Sequence, residues 1–226
     1  MIRRFWFPLI AAILGAVVLV SLGTWQVKRL AWKQGVIAQM EAKLMQAPIA
    51  LPVSVSFEQD RYRAVTTQGR FDGPAIKVLS SKKDEGAVYR HLAPFITTQG
   101  RRILVDRGYT AADAQAALPA GEFALSGHLI WPDDANNMTP DPDLEDHLWY
   151  GRDLPAMAAA YGTEGIMIVA QHATPADPHV TPWPVDTINI PNDHLQYAAT
   201  WFSLAVIWII MTTLYLRRAY RGSKDS

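Results

Sequence analysis

Two uncharged and strongly apolar stretches lie near the ends of the chain, over residues 5–27 and 195–216. At 1.5 Å per helical residue each stretch covers roughly 30 Å, the thickness of a bilayer's hydrocarbon core. The pattern predicts two transmembrane helices. The first stretch follows Arg3 and Arg4 as a signal peptide would, but it is longer than a signal-peptide core, so we expect it to be retained.

Between the two spans the pattern changes from helix to strand. Apolar residues at helical spacing continue to about residue 46, and Pro48 follows. Short alternating runs then predict strands over residues 62–71, 75–80, 89–98, 102–109, 123–131 and 166–171. A short helix is predicted over residues 154–161. The predicted fold class is an α+β membrane protein, in which N- and C-terminal transmembrane helices flank a mainly antiparallel β domain, a sheet or small barrel.

Basic residues predict the orientation of the spans. Arg217, Arg218, Arg221 and Lys224 follow the second span, whereas its other side has no nearby Lys or Arg. The positive-inside rule places the C-terminus in the cytoplasm, and two spans place the N-terminus there too. Three basic residues after the first span argue the other way, but the asymmetry at the second span decides. The predicted organisation is a cytoplasmic segment 1–4, a transmembrane helix 5–27, a periplasmic β-rich domain with an N-terminal helical extension 28–194, a transmembrane helix 195–216 and a cytoplasmic segment 217–226.

Composition narrows the function classes. The formal net charge is zero, which gives no support to a nucleic-acid partner. The chain has no cysteine, so disulfides, thiolate metal sites and cysteine nucleophiles are excluded. The N-terminus offers no room for an organellar transit peptide, which favours a bacterial inner membrane.

The residues with the most chemical potential stand at the predicted membrane boundary. His194 begins the second span, with Tyr197 and Trp201 on the same helical face, and Trp25 and Arg29 share a face at the end of the first span. An imidazole could coordinate a metal, aromatic rings could cover a flat apolar ligand, and an arginine could pair with carboxylates. The alternative is structural: boundary aromatic residues form an ordinary interfacial belt, and a boundary histidine caps a helix.

Other polar residues do not indicate an enzyme. His172 and His179 flank Asp177 in a proline-rich segment, but the spacing does not suit a compact metal site, and solvated loop residues are expected. His91 and His128 lie in predicted strands and are expected to be structural. The chain lacks a nucleophile-elbow, zincin or phosphate-loop motif, so we expect no enzymatic activity.

Four segments in chain order resemble the Surf1 family of cytochrome c oxidase assembly proteins. A Gly-x-Trp-Gln-x-x-Arg-x-x-Trp-Lys pattern spans residues 23–33, and Val-Asp-Arg-Gly-Tyr spans residues 105–109. A third segment covers residues 149–158. The fourth, His-Leu-Gln-Tyr-Ala at residues 194–198, stands among Asn189, Pro191, Asn192, Thr200, Trp201 and Phe202. The chain departs from the family pattern at Asp193, where Asn is commoner, and at Tyr109, where Trp is commoner.

The resemblance implies a non-enzymatic factor in haem–copper oxidase biogenesis that binds haem a transiently. Its implied partners are oxidase subunit I, the haem a synthesis machinery and the lipid bilayer. The histidine of the His-Leu-Gln-Tyr segment is implicated in haem binding in bacterial members, which makes His194 the expected ligand of the haem iron. Tyr197, Trp201, Trp25 and Arg29 are then the expected surroundings. Two alternatives stay open: a membrane scaffold that stabilises subunit I without binding haem, and an enzyme that acts on haem.

Overall fold

The computed structural model describes residues 3–222 except residues 113, 115, 133 and 189. Asn189 of the family-like segment therefore lies outside the described residues. The described chain forms two compact units. One contains the residues up to Gln39 together with those from Ile188 onward, and the other contains Met40–Thr187.

The first unit is a pair of antiparallel helices, α1 (Arg3–Leu44) and α4 (His194–Gly222). The indole N–H of Trp208 donates to the carbonyl of Ala12 at 2.9 Å, and Gly23 faces Phe202 further along. Two glycines allow this close approach, because a Cβ at Gly15 would lie 2.5 Å from Trp208 and one at Gly23 2.7 Å from Phe202. Small residues at such contacts are typical of helices that pack within a bilayer.

Both helices are long and apolar enough to cross a membrane, and their apolar side chains are mostly exposed. This confirms the prediction of two long apolar helices at the chain ends that flank a β-rich domain. Helix α1 has 42 residues and is therefore roughly 60 Å long, about twice what a bilayer core requires. Helix α1 continues past residue 27 and ends at Leu44, four residues before Pro48.

The last turn of α1 belongs to the second unit. The Lys43 ammonium donates to the carbonyls of Gln59 and Arg61, at 3.1 and 3.3 Å, around the short helix α2 (Phe57–Asp60). The carbonyl of Leu44 lies 3.1 Å from a ring nitrogen of His128. These contacts satisfy carbonyls that would otherwise be left unpaired at a helix end.

Eight strands form the sheet of the second unit. They are β1 (Ile49–Ala50), β2 (Ala64–Phe71), β3 (Ile76–Lys82), β4 (Gly86–Thr97), β5 (Arg102–Ala111), β6 (Glu122–Ile130), β7 (Leu148–Trp149) and β8 (Met167–Thr174). Their order is β1-β2-β6-β8-β5-β4-β3-β7, and β2 also pairs with β4 at one end. Strands β2, β6, β8, β5 and β4 therefore close into a small barrel.

Two apolar clusters stabilise this barrel. The first includes Val65, Phe95, Ile103, Leu125 and Ile168, with side chains from all five barrel strands. The second packs helix α3 (Leu154–Tyr161) against the outer face of β5 and β8, with side chains that include Leu104, Leu154, Met157 and Met167. Neighbouring residues of one strand, such as Ile103 and Leu104, enter different clusters because side chains alternate across a strand.

The six predicted strands are all present, and helix α3 has the predicted bounds. Five of the eight strand pairings among the described residues are antiparallel, in agreement with a mainly antiparallel sheet. The sequence missed β1 and β7, which have two residues each and too little pattern to detect. It also missed that β8 joins the barrel parallel to β5.

Candidate functional site

The start of α4 is held by backbone and side-chain contacts within the helix-pair unit. The Tyr197 N–H donates to the Asp193 carbonyl at 3.1 Å, which closes the first helical turn. The Lys33 ammonium of α1 donates to the Pro191 carbonyl just before that turn. The end of the apolar part of α1 and the beginning of α4 are therefore fixed side by side.

His194 contacts one polar side chain of α1. Its Nδ1 atom lies 2.8 Å from Oε1 of Gln26, whose residue is only 8% exposed. The amide oxygen can only accept, so the ring must donate from Nδ1 in this arrangement. Nε2 makes no hydrogen bond within the part of the chain that the structure describes.

The other predicted site residues can be placed by the helical rotation of about 100° per residue. Trp201 is i+7 from His194 and lies on the same stripe, facing α1. About the axis of α1, Arg29 is rotated by about 60° and Trp25 by about 100° from the direction of Gln26. About the axis of α4, Tyr197 is rotated by about 60° from the direction of His194. The three rotations have the same sense when each helix is viewed along its own chain direction. Because the helices are antiparallel and face each other, equal rotations bring these side chains to one flank of the pair.

This flank is aromatic and accessible. Trp25 and Tyr197 are 56% and 55% exposed. The guanidinium carbon of Arg29 lies 3.9 Å from the ring centroid of Trp32, which is a cation–π contact. Arg29 makes no ion pair with the described residues, so its charge is available to an anionic group.

These residues have the donor set that a haem requires. An imidazole nitrogen that makes no hydrogen bond with the described residues is of a kind that would suit haem iron. The exposed indole and phenol rings offer flat apolar surface, and a free guanidinium suits carboxylates. The chemistry of the predicted residues therefore fits the group that the sequence indicated.

The β domain holds a second polar cluster, which is buried. The carboxylate of Asp106 is fully buried, and its Oδ2 accepts from Nη1 of Arg90 at 2.6 Å and from Nη1 of Arg152 at 3.4 Å. Arg152 also pairs with Asp134. Two cations and two carboxylates balance each other, which makes this cluster a structural network rather than a site for a charged ligand.

Arg107 and His91 are two further buried polar residues. They lie on the neighbouring strands β5 and β4. The Arg107 guanidinium pairs with Asp177 at 2.7 Å. Asp177 was expected to be a solvated loop residue, and this was wrong: its side chain is 9% exposed because it neutralises Arg107. Burial, together with the charge of Arg107, lowers the pKa of His91 to about 4, so this ring is neutral at physiological pH. The placement of His91 and His128 in strands is confirmed.

These contacts attach one long segment to the barrel. We call residues 175–187, between β8 and α4, the strap. Asp177 binds Arg107, the backbones of Thr181 and Tyr109 exchange two hydrogen bonds, and the Trp183 ring lies 3.7 Å from the guanidinium of Arg90. Gly108 permits this approach, because a Cβ there would meet the Thr181 carbonyl oxygen at 2.2 Å.

The family-like segments in the domain therefore have structural roles. In the Val-Asp-Arg-Gly-Tyr segment, Val105 is in the core and the other four residues join the ion pairs or the strap. In the third segment, Trp149 is buried and its indole donates to the Tyr161 hydroxyl at 3.0 Å. Among the described residues, no three His, Asp or Glu side chains cluster as a metal site would require, so His172, Asp177 and His179 do not form one.

Sequence reasoning named Trp25 and passed over its neighbour Gln26. The signal was present: Gln26 is an uncharged polar residue at the end of an otherwise apolar stretch. Only the pairing of α1 with α4 shows that it faces His194 and that Trp25 does not.

Comparison with known proteins gives the family. The model of the SURF1 family matches residues 13–206. The chain is 31% identical to Surfeit locus protein 1 of Rattus norvegicus over 81% of this chain and 67% of the relative. It is 30% identical to Surfeit locus protein 1 of Homo sapiens over 90% and 74%, and 29% identical to the SURF1-like protein of Drosophila melanogaster over 82% and 69%. The chain belongs to the SURF1 family.

Proposed function

We propose that this protein is a non-enzymatic assembly factor of cytochrome c oxidase, which binds haem a at His194 and helps it reach oxidase subunit I. The observation that carries the proposal is the pairing of His194 with Gln26 at the boundary of two apolar helices. The other imidazole nitrogen has no hydrogen-bond partner in the part of the chain that the structure describes, and the exposed rings of Trp25 and Tyr197 lie on one flank of the same helix pair. Membership of the SURF1 family supports the role in oxidase assembly.

Each residue has a defined task in this proposal. His194 would hold the iron through Nε2, and Trp25, Tyr197 and Trp201 would cover the apolar ring and shield it from water. Arg29 pairs with the carboxylates at the edge of the ring. No bond of the cargo is made or broken, because the chain contributes binding and release only.

The proposal includes the location of these residues. Both apolar helices cross the bacterial inner membrane, with both termini in the cytoplasm and the β domain in the periplasm. The basic residues after α4 support this orientation. Alkaline phosphatase fused after Gln171 should be active and fused after Arg221 inactive, and the opposite pattern would refute the topology.

A membrane scaffold that stabilises subunit I without holding haem is the second candidate. It is favoured by the exposed flank itself, since Trp25 and Tyr197 could equally contact helices or lipid. The two candidates differ in one property: a carrier retains haem when it is purified, whereas a scaffold does not.

The assembly role is tested in a strain that lacks the chromosomal copy. We expect its membranes to lose most of the haem a absorbance of the oxidase, and a plasmid-borne wild-type chain to restore it. The His194→Ala variant should fail to restore it, whereas His179→Ala, on an exposed strap residue, should succeed. Normal oxidase in the deletion strain would refute the assembly role.

A further inference from the structure

Gln26 is a buried amide in an otherwise apolar part of α1. A buried amide without a hydrogen-bond partner costs about 1–3 kcal/mol, so its contact with His194 is favoured over its loss. Gly23, about one helical turn from Gln26, packs against the ring of Phe202, which brings the two helices close together there. The pair therefore lies where the two helices are closely packed, and its Gln26 side is buried.

The direction of this hydrogen bond decides what His194 can bind. With Oε1 as acceptor, Nδ1 is the donor, so of the two neutral tautomers this contact fits the one with its proton on Nδ1 and its lone pair on Nε2. The opposite tautomer would place the proton on Nε2 and block coordination through that atom. A free imidazole can adopt either form, so an acceptor at Nδ1 selects between them.

We propose that Gln26 is a positioning residue, which holds His194 in the Nδ1–H tautomer and presents Nε2 to the iron of the cargo. This inference rests on the proposed haem-binding function for its purpose, but the tautomer itself can be measured without haem. Histidine ligands commonly donate their second ring N–H to a protein oxygen, and loss of that oxygen typically weakens metal binding 10–100-fold.

The first test uses the full-length protein without haem. In detergent-solubilised protein labelled with ¹⁵N-histidine, we expect the His194 signal, identified by its loss in His194→Ala, to show a protonated Nδ1 and an unprotonated Nε2. Gln26→Leu should shift the population toward the Nε2–H form, and Gln26→Glu should keep Nδ1 protonated. Wild-type protein in the Nε2–H form would overturn the inference, as would a Gln26→Leu spectrum identical to that of wild type.

The second test measures haem. Gln26→Leu should weaken haem binding roughly 10–100-fold relative to wild type, whereas Gln34→Leu, on an exposed glutamine of the same helix, should not change it. Gln26→Glu should retain haem with a more negative reduction potential, because a carboxylate makes the ligand more basic. A potential in Gln26→Glu equal to that of wild type would contradict the positioning role.

The two tests separate two kinds of failure. If the tautomer result holds and wild-type protein binds no haem, the proposed function fails and Gln26 orients His194 for something else. If wild-type protein binds haem and Gln26→Leu binds it equally well, the proposed function stands and the role of Gln26 is refuted.

Discussion

Gly23 of α1 lies directly against the ring of Phe202 of α4, so close that a Cβ at residue 23 would be 2.7 Å from the ring. We expect Gly23→Leu to force the helices apart and to destabilise their pairing by about 1–3 kcal/mol, the usual cost of overpacking. The cost can be measured by titration of the full-length protein with SDS in mixed micelles, followed by tryptophan fluorescence. Gly35→Leu is the matched control, because nothing lies within 4 Å of a Cβ at that position of the same helix. Equal effects of both substitutions would contradict this packing.

The buried carboxylate of Asp106 should be the most sensitive polar group of the domain. Asp106→Ala would leave Arg90 and Arg152 buried without their shared partner, and loss of one partner of a buried ion pair costs about 3–5 kcal/mol. Urea unfolding of the full-length protein in detergent would measure this loss. The control is Glu164→Ala, which removes a carboxylate that is 41% exposed from its pair with Arg101 and should cost less than Asp106→Ala.

The lowered pKa of His91 should make the stability of the folded protein depend on pH. Its pKa of about 4 in the folded protein is below the ordinary value of 6.5, because of burial and the charge of Arg107. Between these two pH values the unfolded chain binds a proton at residue 91 that the folded chain does not. The folded state should therefore lose up to about 3 kcal/mol as the pH falls from 6.5 to 4.

The corresponding measurement is the free energy of unfolding against pH for wild type and His91→Gln. Carboxylates also titrate in this range, so the difference between the two proteins isolates the histidine. The variant should show the flatter profile between pH 6.5 and 4. Parallel profiles would show that His91 does not contribute.

The lack of a side chain at Gly108 allows the strap to lie against β5. Gly108→Ala would place a methyl group 2.2 Å from the Thr181 carbonyl oxygen and break the hydrogen bonds between Thr181 and Tyr109. We expect limited proteolysis to cleave residues 175–187 several-fold faster than in wild type. Gly86→Ala is the control, because Gly86 also has a positive φ but nothing lies within 4 Å of its Cβ position. Unchanged cleavage in Gly108→Ala would contradict this attachment.

The sequence predicted the features of the fold that depend on neighbouring residues, and it missed those that depend on contacts between distant parts of the chain. Residues 5–27 and 195–216 have a local apolar signal, and the strands have a local alternation, so their positions were predictable. Closure of the barrel was not, because it depends on β2 pairing with β4 at one end and on β8 adding parallel to β5. Neither pairing can be predicted from the alternation of apolar and polar residues within a single strand.

The same distinction applies to the candidate site. His194, Trp25 and Arg29 were named because each belongs to a short motif at a predicted helix end. Gln26 was missed, since its importance comes from a residue 168 positions away in the chain. Asp177 was misjudged for the same reason: its partner Arg107 lies on β5, 70 residues earlier in the chain, and the intervening sequence does not predict their contact.

Haem binding at His194 is tested by the absorbance of the full-length protein purified from cells that co-express the haem a synthesis enzymes. We expect a Soret band in wild-type protein and in the His179→Ala control, and its loss in His194→Ala. A colourless wild-type protein under these conditions, or a His194→Ala variant that keeps the full band, would contradict it.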